Sequence, residues 1–222
     1  MKLKSNLIKL SVVLLLLQGC NSLKNAEIRN INGMIYNYEN EPVSGAYVYL
    51  DDKQVGSSDM YGRFYIDNFI PNNNINIKIS KSGYETSTIN VSLQNSTQLI
   101  YVKIYSNNEL LNEAEDLIKN QNYEHSLGFI SRYEISNGAS ISSEYLKAIV
   151  NYKKKKFEGA YTILENLLAK GSEDPYIYLF IADVCEYGLK DFEKAKYYLE
   201  KYLVTKYDDF VDERLRELTC NP

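Results

Sequence analysis

The sequence predicts two architectures in series: an all-β sandwich domain over residues 28–105, then an all-α helical-repeat domain over residues 106–222. Three observations carry that reading. In the first segment apolar residues recur at every second position in short runs, the period of half-buried strands. From Ser106 onward they recur at three and four positions, the period of a helix with one buried face. Within the second segment Ala114, Ala148 and Ala182 are spaced by 34 residues, the mark of stacked repeats.

The chain begins with Lys2, Lys4 and Lys9, followed by the apolar run Leu10 to Leu17. That run is far shorter than the ~20 residues a membrane-spanning helix needs, and a core helix would show a polar face. Basic start, short apolar run and small Gly19 together read as a secretory leader over residues 1–19. Leu17-Gln18-Gly19-Cys20 resembles the lipobox of bacterial lipoproteins. The resemblance implies diacylglyceryl transfer to the Cys20 thiol, cleavage before it, and acylation of the new N-terminus. Two or three acyl chains anchor stably, since each buried methylene contributes ~0.8 kcal/mol. Residues 20–27 would then be the lipidated N-terminus and a short tether. Asn21 is not the aspartate associated with inner-membrane retention, so the expectation is a cell-envelope protein lipid-anchored to the outer membrane. Loss of the three leader lysines takes the formal charge from −4 to −7, which argues against nucleic acid as a partner.

The strands follow in order. Phe64 and Ile66 alternate with polar positions in FYIDNF, Ile75, Ile77 and Ile79 do so in INIKIS, and Ile89, Val91 and Leu93 in INVSL. Turn residues separate them: Glu41-Pro42, Tyr61-Gly62, Pro71 to Asn74, and Ser82-Gly83. Read together, NGMIYNYENEPVSGAYVYL, SSDMYGRFYI and KISKSGYETSTINVSL resemble the carboxypeptidase regulatory-like domain, a transthyretin-type sandwich. A PEGA-type β module is the alternative for GAYVYLDDKQVG, and the Asp-x-x-Gly-Arg-Phe stretch from Asp59 favours the former. In metallocarboxypeptidases this module accompanies the catalytic domain and carries no zinc ligand, so the resemblance implies no catalysis. Asp51 and Asp52 are the conceivable calcium ligands here, and a solvated hairpin tip accounts for them better because too few oxygen ligands lie nearby.

Ser106-x-x-Glu109 has the form of a capping box ahead of the run Leu110, Leu111, Ala114, Leu117, Ile118. Tyr123, Phe157 and Phe192 are spaced 34 and 35 residues apart, so the third repeat holds one extra residue, expected in the turn containing Tyr187 to Lys190. NYEHSLGFI, KFEGAYTIL and DFEKAKYYL resemble the second helix of the tetratricopeptide repeat, with Ser126, Ala160 and Ala195 at its small position. Ser126 departs from the usual alanine, and the proline expected near each repeat end is missing or displaced. Asp174-Pro175 reads as an N-cap with proline at the first helical position. Three repeats are about the minimum for a stable stack, and Phe210 to Leu218 reads as the terminal capping helix.

No reaction is announced. The one histidine, His125, stands alone on a helix, and no GxxxxGK[ST], GxGxxG or HExxH occurs. No catalytic residue, metal site or cofactor is expected. Cys185 and Cys220 make no disulfide framework, and Cys185 on a helix reads as a buried thiol. Lys153 to Lys156 form the densest positive run, read as a solvated turn. The tetratricopeptide resemblance implies a protein or peptide partner on the concave face. Alignment on the alanines assigns Leu111, Glu115 and Ile118 to it from the first repeat, Tyr145, Ile149 and Tyr152 from the second, and Tyr176, Leu179 and Asp183 from the third. Packing against neighbouring helices fits the same spacing equally well. The expected function is a non-enzymatic interaction scaffold. The alternative is a glycan-binding accessory protein using Tyr36, Tyr38, Tyr47 and Tyr49 of the sandwich.

Overall fold

The computed structural model describes residues 29–69, 75–92 and 99–220. The leader, Cys20 and the tether, the Pro71 to Asn74 turn and Leu93 lie outside them. Among the described residues seven strands come first: β1 (Arg29–Tyr36), β2 (Tyr47–Leu50), β3 (Lys53–Ser57), β4 (Arg63–Phe69), β5 (Ile75–Ser80), β6 (Ser87–Val91) and β7 (Leu99–Lys103). They form two sheets, in the orders β4-β1-β7 and β3-β2-β5-β6. Pairing is antiparallel throughout except between β1 and β7, which run parallel from Asn32↔Leu99 to Tyr36↔Lys103. The alternation read from the sequence becomes the sandwich core. Ile31, Ile35, Phe64, Ile66, Ile100 and Val102 face inward from one sheet, and Val48, Ile75, Ile77 and Ile79 from the other.

In the sandwich two glycines are required by space. Gly33 pairs with Phe64 across the strands, and a Cβ there would lie 2.1 Å from the Phe64 ring. Gly62 has φ +75°, and a Cβ would lie 2.4 Å from the Ile35 carbonyl oxygen; the Ile35 N–H donates to Gly62 O and holds the turn at that distance. At the β2–β3 hairpin tip Asp51 and Asp52 both take positive φ, 44° and 65°, which fits the primed turns that join twisted strands. Asp52 pairs with Lys78.

Seven helices follow in pairs: α1 (Asn107–Lys119) with α2 (Tyr123–Asn137), α3 (Ile141–Lys153) with α4 (Phe157–Ala169), α5 (Pro175–Asp183) with α6 (Phe192–Thr205), and the closing α7 (Asp209–Cys220). The helical domain therefore resembles three tetratricopeptide repeats and a cap. The capping box at α1 is formed in both halves, and Asp174 caps α5 with Pro175 in its first turn. Ala114, Ala148 and Ala182 are wholly buried, as are Ser126, Ala160 and Ala195 of the partner helices. Serine is accommodated at 126 because its hydroxyl donates to the Ala114 carbonyl at 2.9 Å.

The repeat is also visible in the backbone, since Gln121, Lys155 and Lys190 close each first helix in the left-handed conformation, with φ near 60°. The extra residue of the third repeat does not lengthen the turn, as the sequence suggested. It is absorbed inside the helix, where α5 runs on into a wide π-helical turn, Val184–Leu189, before Lys190 resumes the common geometry. Gly188 in that turn lies under Phe157, whose ring a Cβ would meet at 2.5 Å.

The two domains meet without a linker. Tyr84 bridges Ser106, Glu85 N–H donates to Tyr105 O, and Asn107 N–H donates to Gly83 O, so strand-like pairing runs up to the first helix. The Glu85 side chain, nearly buried, accepts the Tyr105 N–H at 2.9 Å and two arms of the Arg132 guanidinium from α2. Arg132 lies over the Tyr105 ring, which stacks on Tyr38 and meets the edge of Phe129. Glu109 completes the seam, accepting the backbone N–H groups of Tyr38, Glu39 and Ser106.

Gly62 and Gly83 separate strain from crowding. Both have positive φ, but nothing lies within 4 Å of a Cβ at Gly83. Gly83→Ala should cost about 1 kcal/mol from the left-handed backbone alone. Gly62→Ala should cost about 3 kcal/mol, because overpacking adds to that strain. Urea denaturation of the two variants measures the difference, and equal losses would refute the crowding.

Candidate functional site: a groove across three helix pairs

Ala114, Ala148 and Ala182 are wholly buried, and Leu111 and Tyr145, three positions before the first two of them, stand beside them on the same side of α1 and α3. There a cavity of about 500 Å³ opens, lined by Leu111, Asn112 and Glu115 of α1, Ile141, Ser142, Tyr145 and Leu146 of α3, and Asp174, Tyr176 and Ile177 at the start of α5. Four of the nine residues assigned from the sequence, Leu111, Glu115, Tyr145 and Tyr176, thus share one cavity. Tyr176 is 48% exposed. Its hydroxyl accepts a hydrogen bond from Lys206, whose ammonium also lies 4.5 Å from the ring centroid.

The other five stand elsewhere. Ile118 is a core residue, 7% exposed, and does not line the cavity. Ile149 is half-buried and outside the cavity. Tyr152 is a packing residue, edge-on to Phe157 and Phe180 at 5.6 and 5.5 Å. Leu179 packs against the helical core. Asp183 lies in a second cavity, of about 430 Å³, beneath α7, where Arg214 bridges it and Glu186. Burial raises the Asp183 carboxyl above its usual range, against the opposing pull of Arg214. The sequence missed Ile141, Leu146 and Asp174. Alignment on the helix starts, Ser140 and Asp174, would have found them, because the cavity sits over the first turns.

The electrostatics of the cavity are one-sided. Burial raises the Tyr145 hydroxyl above its ordinary value, and the fields of Asp174 and Asp183 add to that. Asp174 Oδ1 accepts the Tyr176 N–H at 3.0 Å as the cap of α5. Among the described residues no group of three or more His, Cys, Asp or Glu side chains is placed to hold a metal ion. His125 is exposed, with Nδ1 2.7 Å from Asn122 Oδ1. Among the sandwich tyrosines, Tyr36 is half-buried and Tyr38 is partly covered by its stack on Tyr105. Tyr47 and Tyr49 flank the inward Val48 and so stand on the outer face, Tyr49 beneath Lys78.

Residues 31–115 match the model of the CarboxypepD_reg-like domain family. The match spans the sandwich and reaches into α1, the helix that Glu109 ties to it. Among solved structures, the first TPR of Spaghetti (RPAP3) bound to the HSP90 peptide SRMEEVD is 16% identical, with 51% of this chain and 90% of that one covered and a TM-score of 0.46. The Arabidopsis OM64 TPR domain is 14% identical over 52% of this chain and 96% of its own, with a TM-score of 0.46. The Caf1A usher C-terminal domain is 13% identical over 35% and 97%, with a TM-score of 0.28. No curated protein matches the chain.

The two described thiols should behave differently. Cys185 is wholly buried at the π-turn, and burial pushes its thiol up to about 11, so it stays protonated at pH 8. Cys220 is exposed. Iodoacetamide at pH 8 should alkylate Cys220 in the native protein and Cys185 only after unfolding, as peptide mass spectrometry would read.

Proposed function

We propose that the protein is a lipid-anchored envelope lipoprotein that binds another protein through its helical repeats, without catalysing a reaction. The observation that carries the binding reading is the joining of Leu111, Tyr145 and Tyr176, from three successive pairs, in one apolar-walled cavity. A side chain entering it would leave water while touching all three pairs, which is how a few aromatic anchors come to dominate an interface. The anchor rests on the leader and on Cys20. The sandwich serves as the spacer between anchor and groove.

Two experiments test this. A photo-crosslinking residue placed at 145 or 111 in intact cells should capture a protein partner, and Tyr145→Ala should abolish its recovery by pull-down; no capture from either position would refute the groove. Cys20→Ala should leave unprocessed precursor and no incorporation of labelled fatty acid, and normal labelling would refute the anchor.

A glycan-binding role is the second reading, favoured by exposed tyrosines on both outer faces: Tyr47 on one sheet, and Tyr65 and Tyr101 on the other. Binding on a glycan array that is lost in Tyr65→Ala and Tyr101→Ala would support it. A silent array would remove it.

A further inference from the structure

The walls of the groove say what kind of segment it takes. Six of the lining side chains, Leu111, Ile141, Tyr145, Leu146, Tyr176 and Ile177, are apolar or aromatic. The two charged ones, Glu115 and Asp174, are both carboxylates, and no lysine or arginine lines the cavity. The cations nearby are already engaged. Lys119 pairs with Glu115 and Asp116 as an exposed cluster on α1, and Lys206 is held on Tyr176. Asp174 uses Oδ1 for the cap and keeps its second oxygen.

We infer that the groove selects a basic peptide segment, one that inserts an apolar side chain between Tyr145 and Leu111, sets a lysine or arginine against Asp174, and replaces Lys119 with a second cation on Glu115. This inference rests on the groove reading proposed above and adds the sign of the partner. Apolar burial supplies affinity and the carboxylates supply discrimination: an acidic segment would bring like charges together beside the exposed Glu115 and Asp174, which is unfavourable. The surrounding domain has the same sign, with 15 basic against 21 acidic residues over 106–222, so long-range steering also favours a cationic partner.

The test uses three fluorescent ten-residue peptides with identical leucines, carrying lysine, serine or glutamate between them, read by anisotropy against the purified full-length protein in detergent. The lysine peptide should bind at least tenfold tighter than the glutamate peptide, and added salt should narrow the gap. Glu115→Gln with Asp174→Asn removes both charges and keeps a competent cap at α5. This double variant should lose about tenfold for the lysine peptide, the scale two half-exposed ion pairs can supply, with an unchanged circular-dichroism melt. Tyr145→Ala should weaken all three peptides. Equal binding of lysine and glutamate peptides, no binding of the lysine peptide, or undiminished binding by the double variant would overturn the inference. A crosslinked partner touching position 145 through an acidic segment would overturn the charge selectivity while leaving the groove reading intact. Absence of crosslinking from 111 and 145, together with silent peptides, would overturn both.

Discussion

The carboxylate of Glu85 holds the molecule together as a single object. It is nearly buried, and it survives burial because every neighbour it meets is a donor: the Tyr105 backbone and the fork of Arg132. One side chain thereby ties three things at once, the segment leading into β6, the residue before the cap of α1, and α2. The aromatic stack of Tyr38, Tyr105 and Phe129 excludes water around it, and Arg132 covers the stack as a cation over a ring. Without that seam the capping box at Ser106 would only start a helix. With it, the same box fixes the direction in which the whole repeat stack leaves the sandwich, since Glu109 grips both Ser106 and the loop after β1.

The repeats show how a helical stack tolerates an imperfect sequence. Close approach is set by six small buried residues, and their spacing decides whether each pair can nest on the next. A 35th residue in the third repeat would break that register if it displaced the α6 start. The π-turn at Val184–Leu189 takes it up within the helix, leaving Lys190 and Asp191 where Gln121 and Asn122, or Lys155 and Lys156, stand in the earlier pairs. The turn places Gly188 under Phe157, and Cys185 is sealed in the core beside it.

Period-two and period-3.6 patterns made the two architectures legible, because burial on one face is written directly into composition. The 34-residue spacing of Ala114, Ala148 and Ala182 exposed the stack, and Asp174-Pro175 a helix start, since steric and capping rules act on a few adjacent residues. The groove was legible only in part. Ile118 and Leu111 have the same chemistry and stand two turns apart on one side of α1, yet one is buried and the other lines the cavity. That difference depends on helix crossing and on what packs above, neither of which is local. Asp183 had the right spacing but lies where α7 returns to cover the third pair, and no pattern in α5 itself announces Arg214. Glu85 carried no signal either: its partners are 20 and 47 positions away, and a lone glutamate after a turn resembles any solvated one.

The parallel pairing of β1 with β7 has a mechanical meaning. These strands are the entrance and the exit of the sandwich, and because they run side by side in one direction the chain enters at one pole and leaves at the other. With eight residues at ~3.3 Å each, β1 separates those poles by ~26 Å. A force that holds the N-terminal side and pulls on the helical side would run along both strands in opposite senses. Their ladder would then be loaded in shear, all its hydrogen bonds sharing the strain together, whereas a hairpin pulled at its open end yields one bond at a time.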